Sequence, residues 1–152
     1  MDQGPDTPWK ITMLLADNAQ AVGGKLYIMG GGWSLTGPAP SPSAIAIKFE
    51  VPWSKANRKL TIVLELLDSD GHPVLVQGPV EQQPLKIEAQ VEVGRPPGIL
   101  HGTPLDLPFA LNLNPIPLKS GRYEWRCTVA NEGASQTCAF TVREAPQTTP
   151  PA

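Results

Sequence analysis

Gly121-Arg-Tyr-Glu-Trp-Arg-Cys-Thr-Val-Ala-Asn-Glu-Gly-Ala-Ser-Gln-Thr-Cys-Ala-Phe-Thr-Val142 decides the fold class. Tyr123, Trp125, Cys127 and Val129 alternate with polar residues in its first half. Cys138, Phe140 and Val142 alternate in its second half. A period of two is that of a strand with one buried face, and two such runs joined by Asn131-Glu-Gly133 predict a β-hairpin.

The same period recurs upstream. Ile45, Ile47, Phe49 and Val51 alternate with Ala46, Lys48 and Glu50. Leu60, Ile62, Leu64 and Leu66 form another apolar row. Leu85, Ile87, Ala89, Val91 and Val93 stand against Lys86, Glu88, Gln90 and Glu92, so one side of that strand meets water and its sheet is antiparallel. Shorter runs at Trp9–Ala16, Lys25–Met29, Val74–Val76 and Phe109–Leu113 complete about eight expected strands. Asn18 to Gly24 reads as a turn, Thr36 to Pro42 and Arg95 to Pro104 as loops, and Asp68-Ser-Asp-Gly71 as a hairpin turn.

Eighteen prolines and fourteen glycines sit between the apolar runs, not inside them. That argues against long helices, because an interior proline costs about 3 kcal/mol. The expected architecture is all-β, an immunoglobulin-like antiparallel two-sheet sandwich with little or no helix. Tyr123 follows Gly121 at a strand start, the position from which a tyrosine hydroxyl bonds back to upstream backbone in such sandwiches. No cysteine lies on an early strand to bridge the sheets. Residues 9–143 are expected to form one domain, after a flexible segment 1–8 and before a disordered Pro/Thr tail 144–152.

Twelve basic residues face fourteen acidic ones, for a net charge of −2. Nucleic-acid binders usually carry a basic stripe; here Lys55, Arg58 and Lys59, and later Lys119, Arg122 and Arg126, read as solvated edges. No nucleic-acid partner is expected. No apolar run reaches the roughly 18 residues of a membrane span. The N-terminus, Met1-Asp-Gln-Gly-Pro-Asp-Thr-Pro8, has no basic or apolar leader pattern, so a cytoplasmic location is expected, or a virion if the chain is phage-encoded.

If the closing turn centres on Glu132-Gly133, Cys127 faces Cys138, Trp125 faces Phe140 and Tyr123 faces Val142. A disulfide spans such a pair, whose Cα atoms stand about 5.5 Å apart. It would add only about 3 kcal/mol over so short a loop, and the cytoplasm keeps thiols reduced. Free structural thiols are the preferred reading, with the disulfide as the alternative. Tyr123, Trp125, Cys127, Cys138 and Phe140 are thus structural residues.

Reactive constellations are sparse. Gly30-Gly31-Gly32 lacks the lysine and hydroxyl of a phosphate loop, so a bulge or close backbone approach is expected. Asp68-Ser69-Asp70-Gly71 opens like a calcium loop, but the later ligands are out of register. His72 and His101 have no partner at metal-ligand spacing, and no Gly-x-Ser-x-Gly elbow exists. No catalytic residue, metal or cofactor is expected. Trp33 and Trp53 follow apolar strands beside loops, where tryptophan either plugs the end of a sandwich or stacks on a ligand.

Leu14-Leu-Ala-Asp-Asn-Ala-Gln20 followed by Gly24-Lys-Leu-Tyr-Ile-Met-Gly-Gly-Gly-Trp33 resembles the opening of a family of uncharacterised bacterial proteins, some from bacteriophage genomes. Val51-Pro-Trp53, Leu66-Leu-Asp-Ser-Asp-Gly71 and Gly121-Arg-Tyr123 fit the same pattern. The resemblance runs from about Trp9 to Val142. It implies a compact β-sandwich and brings no catalytic residue. The functional expectation is a non-enzymatic structural or protein-interaction module, in its specific form a phage virion accessory such as a capsid decoration or tail protein. The alternative is a small-ligand or carbohydrate binder that uses Trp33 and Trp53.

Overall fold

The computed structural model describes residues 7–146, so most of the expected flexible segment 1–8 and of the tail 144–152 lies outside the described residues. The chain is all-β, with one 3-10 turn at Trp53–Lys55 and no α-helix among the described residues. Among the described residues no helix is long and apolar enough to cross a membrane.

Among the described residues twelve strands form, not eight. They are β1 (Lys10–Ala16), β2 (Asn18–Val22), β3 (Lys25–Met29), β4 (Leu35–Thr36), β5 (Ser43–Val51), β6 (Leu60–Asp68), β7 (Leu75–Gln77), β8 (Gln82–Pro84), β9 (Lys86–Val91), β10 (Leu105–Leu113), β11 (Gly121–Val129) and β12 (Ala134–Val142). Their order is β1-β5-β10 in one sheet and β4-β12-β11-β6-β9 in another, with β2-β3 and β7-β8 as separate two-stranded sheets. The main pairings are antiparallel, and β4 runs parallel to β12.

The added strands are short or polar. Asn18–Val22 was expected to be a turn, because Asn-Ala-Gln-Ala carries no strand-forming side chain. It nevertheless pairs with all of β3, and the turn shrinks to Gly23-Gly24. Both glycines have positive φ, 59° and 75°, which a two-residue hairpin turn demands. β10 starts at Leu105, four residues before the apolar run predicted it, and includes Pro108. The proline is tolerated because β10 is an edge strand.

The core lies between the two larger sheets. Ile11, Leu15, Ile45, Ile47, Phe49, Val51 and Leu105 pack against Leu60, Ile62, Leu64, Leu66, Trp125, Cys127, Val129, Phe140 and Val142. At about 25 cal/mol per Å² of apolar surface removed from water, this contact is the dominant favourable term. β9 keeps its alternation: Ile87, Ala89 and Val91 are half-buried while Lys86, Glu88 and Gln90 are exposed.

β5 is buried on both faces. Ile45 and Ile47 point to the main core, whereas Ala44 and Ala46 join Ala16 and Ala19 in a second cluster, with Leu14, Leu26 and Ala110 around it. The β2–β3 hairpin folds back over the outer face of β5 and β10 to form this third layer. Methyl side chains at these positions let its backbone come close. The Asn112 side chain of β10 then takes the place of a neighbouring strand. Its Oδ1 accepts from the Ala19 N–H at 3.1 Å, and its Nδ2 donates to the Ala19 carbonyl at 2.8 Å.

The chain reverses out of the hairpin through Gly30-Gly31-Gly32. Gly30 and Gly32 have φ of 61° and 89°, and the Gly32 N–H bonds the Leu15 carbonyl at 2.7 Å. A Cβ on Gly31 would stand 2.6 Å from Ile28 Cγ2. The run serves a close backbone approach.

Candidate functional site

The closing hairpin has the predicted faces with a different register. Trp125 opposes Cys138, Cys127 opposes Gln136 and Tyr123 opposes Phe140. The expected pairs Cys127–Cys138, Trp125–Phe140 and Tyr123–Val142 are therefore displaced by two residues on β12. The reason is the turn: Val129 pairs with Ala134, so four residues make the connection, with Asn131 at φ 64° and Gly133 at φ 66°. Two positions are one full side-chain period, so every residue keeps its predicted face.

Both cysteines are free. Burial pushes the Cys127 thiol up to about 12. Burial also raises the Cys138 thiol, opposed by a hydrogen bond from the Leu15 main chain. A thiol held protonated is a poor nucleophile, and both side chains pack in or against the core. The Tyr123 hydroxyl donates to the Lys119 carbonyl at 2.7 Å, which is the back-bond its position predicted. Burial raises the Tyr123 pKa, and the nearby Asp68 carboxylate adds to the shift.

Trp33 and Trp53 are not brought together. Trp33 packs edge-on against Phe140, with centroids 5.9 Å apart. With Trp125, Ile116, Leu118 and Ser43 it lines an apolar cavity of about 50 Å³. Its indole Nε1 is buried without a hydrogen-bond partner. Trp53 follows the opposite end of β5, just beyond Val51. Arg95 lies 4.4 Å from the centre of its ring and donates to its carbonyl at 2.7 Å, while His101 packs beside it with centroids 4.8 Å apart.

His72 stands with Asp68 and Asp70, whose ligand atoms and its own lie within 4.8 Å of one another on a turn where Asp70 and His72 are exposed. Asp68 Oδ1 accepts from the Asp70 and His72 main-chain N–H groups at 3.0 and 2.9 Å, which accounts for the aspartate as a turn former.

The feature missed in the sequence is the surface of the β2–β3 hairpin. Val22, Tyr27 and Met29 share its outward face and are 57%, 57% and 70% exposed. Ile28, on the other face, is also exposed at its rim. The signal was present in Leu26-Tyr-Ile-Met29, a strand apolar on both faces. Such a strand needs cover on two sides, and a two-stranded ribbon lying on a sheet covers only one.

The model for a family of unknown function, DUF6941, matches residues 11–143. The chain belongs to that family. The DUF6941 match spans both large sheets and the β2–β3 hairpin, so the hairpin lies within the family domain. No curated protein and no solved structure matches the chain.

Proposed function

We propose that this DUF6941 protein is a non-enzymatic interaction module that docks on a protein partner through the outward face of its β2–β3 hairpin. The observation that carries the reading is the exposed trio Val22, Tyr27 and Met29 beside the unpaired edge of β3. Contiguous exposed apolar surface marks interaction sites, and tyrosine and methionine are enriched in them. The other exposed large apolar residues among those described are Leu35, Leu75, Val80 and Leu100, which lie in other segments of the chain.

The frame is read as an immunoglobulin-like sandwich to which accessory hairpins have been added. Support comes from the parallel β4–β12 pair, the three-on-five strand order and the Tyr123 back-bond. The specific form of the proposal is a virion accessory protein, a capsid decoration or tail component, and this step rests on fold analogy.

The experiment compares the native protein with a Tyr27→Ser/Met29→Ser variant by sedimentation, alone and with particles from the native source. Co-migration, or self-association, that the variant loses by about tenfold or more supports the reading. A monomer that stays off the particles, or binding equal in both proteins, refutes it.

The unpartnered indole of Trp33 favours a second reading, a site for one small apolar group that carries a hydrogen-bond acceptor. Trp33→Phe keeps a ring in the wall and removes the donor. Fragment binding that is equal in the two proteins eliminates this reading.

A further inference from the structure

The two large sheets leave a seam where β1 and β12 face each other. β1 is paired on one side only, with β5. β12 is paired along its whole length with β11, but its other edge meets β4 only at Thr141 and Val142. The main-chain groups that face the seam belong to alternate residues. On β1 these are the odd residues, since the Ile11 and Leu15 carbonyls both find partners away from β5. On β12 they are also the odd residues, since the Thr141 and Arg143 N–H groups bond toward β4.

Side chains, not main chain, bridge the seam. Gln136 Nε2 donates to the Ile11 carbonyl at 3.3 Å, and Gln136 Oε1 accepts from the Thr137 N–H at 3.0 Å. One carboxamide thus accepts from one strand edge and donates to the other. A single peptide unit of an intervening strand makes the same pair of bonds. Farther along, β1 and β12 approach each other where the Leu15 main chain lies near the Cys138 thiol.

Short of that contact the edges border a groove of about 920 Å³, lined by Pro8–Met13 on one wall and Glu132–Thr137 on the other. Six residues per wall span about 20 Å at the rise of a strand. The groove carries two charged residues, and both are already paired. Lys10 meets Glu50 at 3.8 Å, and the buried Glu132 Oε1 meets Lys55 Nζ at 3.2 Å. The remaining lining is neutral: Thr12, Met13, Ser135, Gln136 and Thr137. Natural edges are commonly guarded by inward-pointing charge, proline or a bulge. Here Pro8, Lys10 and Glu132 stand toward one end of the groove, and between Ile11 and Thr137 the seam is bridged by one solvent-exposed amide, held by two hydrogen bonds.

We propose that this seam is a second docking site, which receives an extended, uncharged segment of another polypeptide as an added strand in place of the Gln136 amide. Main-chain groups on both walls select a main chain as the occupant, and the neutral lining selects one without charge. The site is separate from the β2–β3 surface, so either can fail without the other.

The test is selection from a display library of random dodecapeptides on the full chain. A selected peptide is then mapped by amide chemical shifts. Shifts centred on Ile11, Met13 and Thr137 are expected, unchanged in the Tyr27→Ser/Met29→Ser variant. N-methylation of alternate peptide residues should weaken binding by about tenfold, because each removes a main-chain donor. Added salt should change affinity less than about twofold. Gln136→Ala removes the competing amide and should bind several-fold tighter, with its melting curve confirming the fold. Gln136→Glu places a charge in the groove and should bind more weakly. An absence of binders, shifts centred elsewhere, or indifference to N-methylation would overturn the proposal. Concentration-dependent dimerisation through the same amides, without peptide, would assign the seam to a second copy and also overturn it.

Discussion

Asn112→Ala offers the sharpest check on how the third layer is held. Asn112 makes two hydrogen bonds to Ala19, at 3.1 and 2.8 Å. Each is worth about 1 kcal/mol net. Ala19 is fully buried, so the substitution also strands a main-chain donor and acceptor away from water. That raises the expected cost to about 2–4 kcal/mol. The alanine cluster beneath the hairpin buries little apolar surface, whereas the main core is independent of it. The loss should therefore appear as local opening of residues 18–29 and leave the sandwich folded. Native-state hydrogen exchange reads it directly. Hairpin amides should exchange roughly thirtyfold to a thousandfold faster, with β6 and β11 unchanged. Asn112→Asp adds a second arm. Ionised, it keeps the acceptor but opposes the Ala19 carbonyl; protonated, it regains a donor. Because the folded site favours the protonated form, protection should recover on acidification at a pH above the ordinary aspartate value of about 4. Less than threefold acceleration in the alanine variant, or equal acceleration throughout the sandwich, would refute the clamp.

Three further outcomes are expected. Tyr123→Phe removes the bond to the Lys119 carbonyl and should cost about 1 kcal/mol, seen as a fall of roughly 2–4 °C in thermal midpoint. The Cys127 thiol titrates near 12 in the folded protein against an ordinary 9.0, so its contribution to stability is complete below pH 9 and is lost as pH rises toward 12. Denaturant melts across that range should show a slope that is steeper than that of Cys127→Ala by up to about 1.4 kcal/mol per pH unit, the remaining slope coming from Cys138 and Tyr123. Gly31→Ala drives a methyl against Ile28 Cγ2 and should destabilise the hairpin by about 1–3 kcal/mol, again readable by exchange at β2 and β3.

The strands with strong alternation were legible because side-chain period is a local property. Ile45–Val51, Leu60–Leu66 and most of Leu85–Val93 form the strands their patterns predict, although β5, expected to bury one face, is covered on both. The register of the closing hairpin was not, because it depends on which turn residues adopt positive φ; Asn131 and Gly133 do so, and the centre moves. β2 escaped notice because its partner, not its own composition, makes it a strand. Of the candidate binding residues, Trp33 and Trp53 were visible as types but not as places, and they stand at opposite ends of β5. Asn112 and Gln136 read as ordinary polar residues, since the groups they bridge lie 93 and 125 positions away in the chain.

Residue order alone was enough to make ribbons with one greasy side and to say which side chains each would bury, because alternation follows from the pleat. Assembly in space decided the rest. Two sheets of unequal width cannot close on each other with main-chain bonds everywhere, and a hairpin apolar on both faces cannot be covered twice. The open seam and the bare hairpin face are consequences of that geometry, and the two docking proposals rest on them.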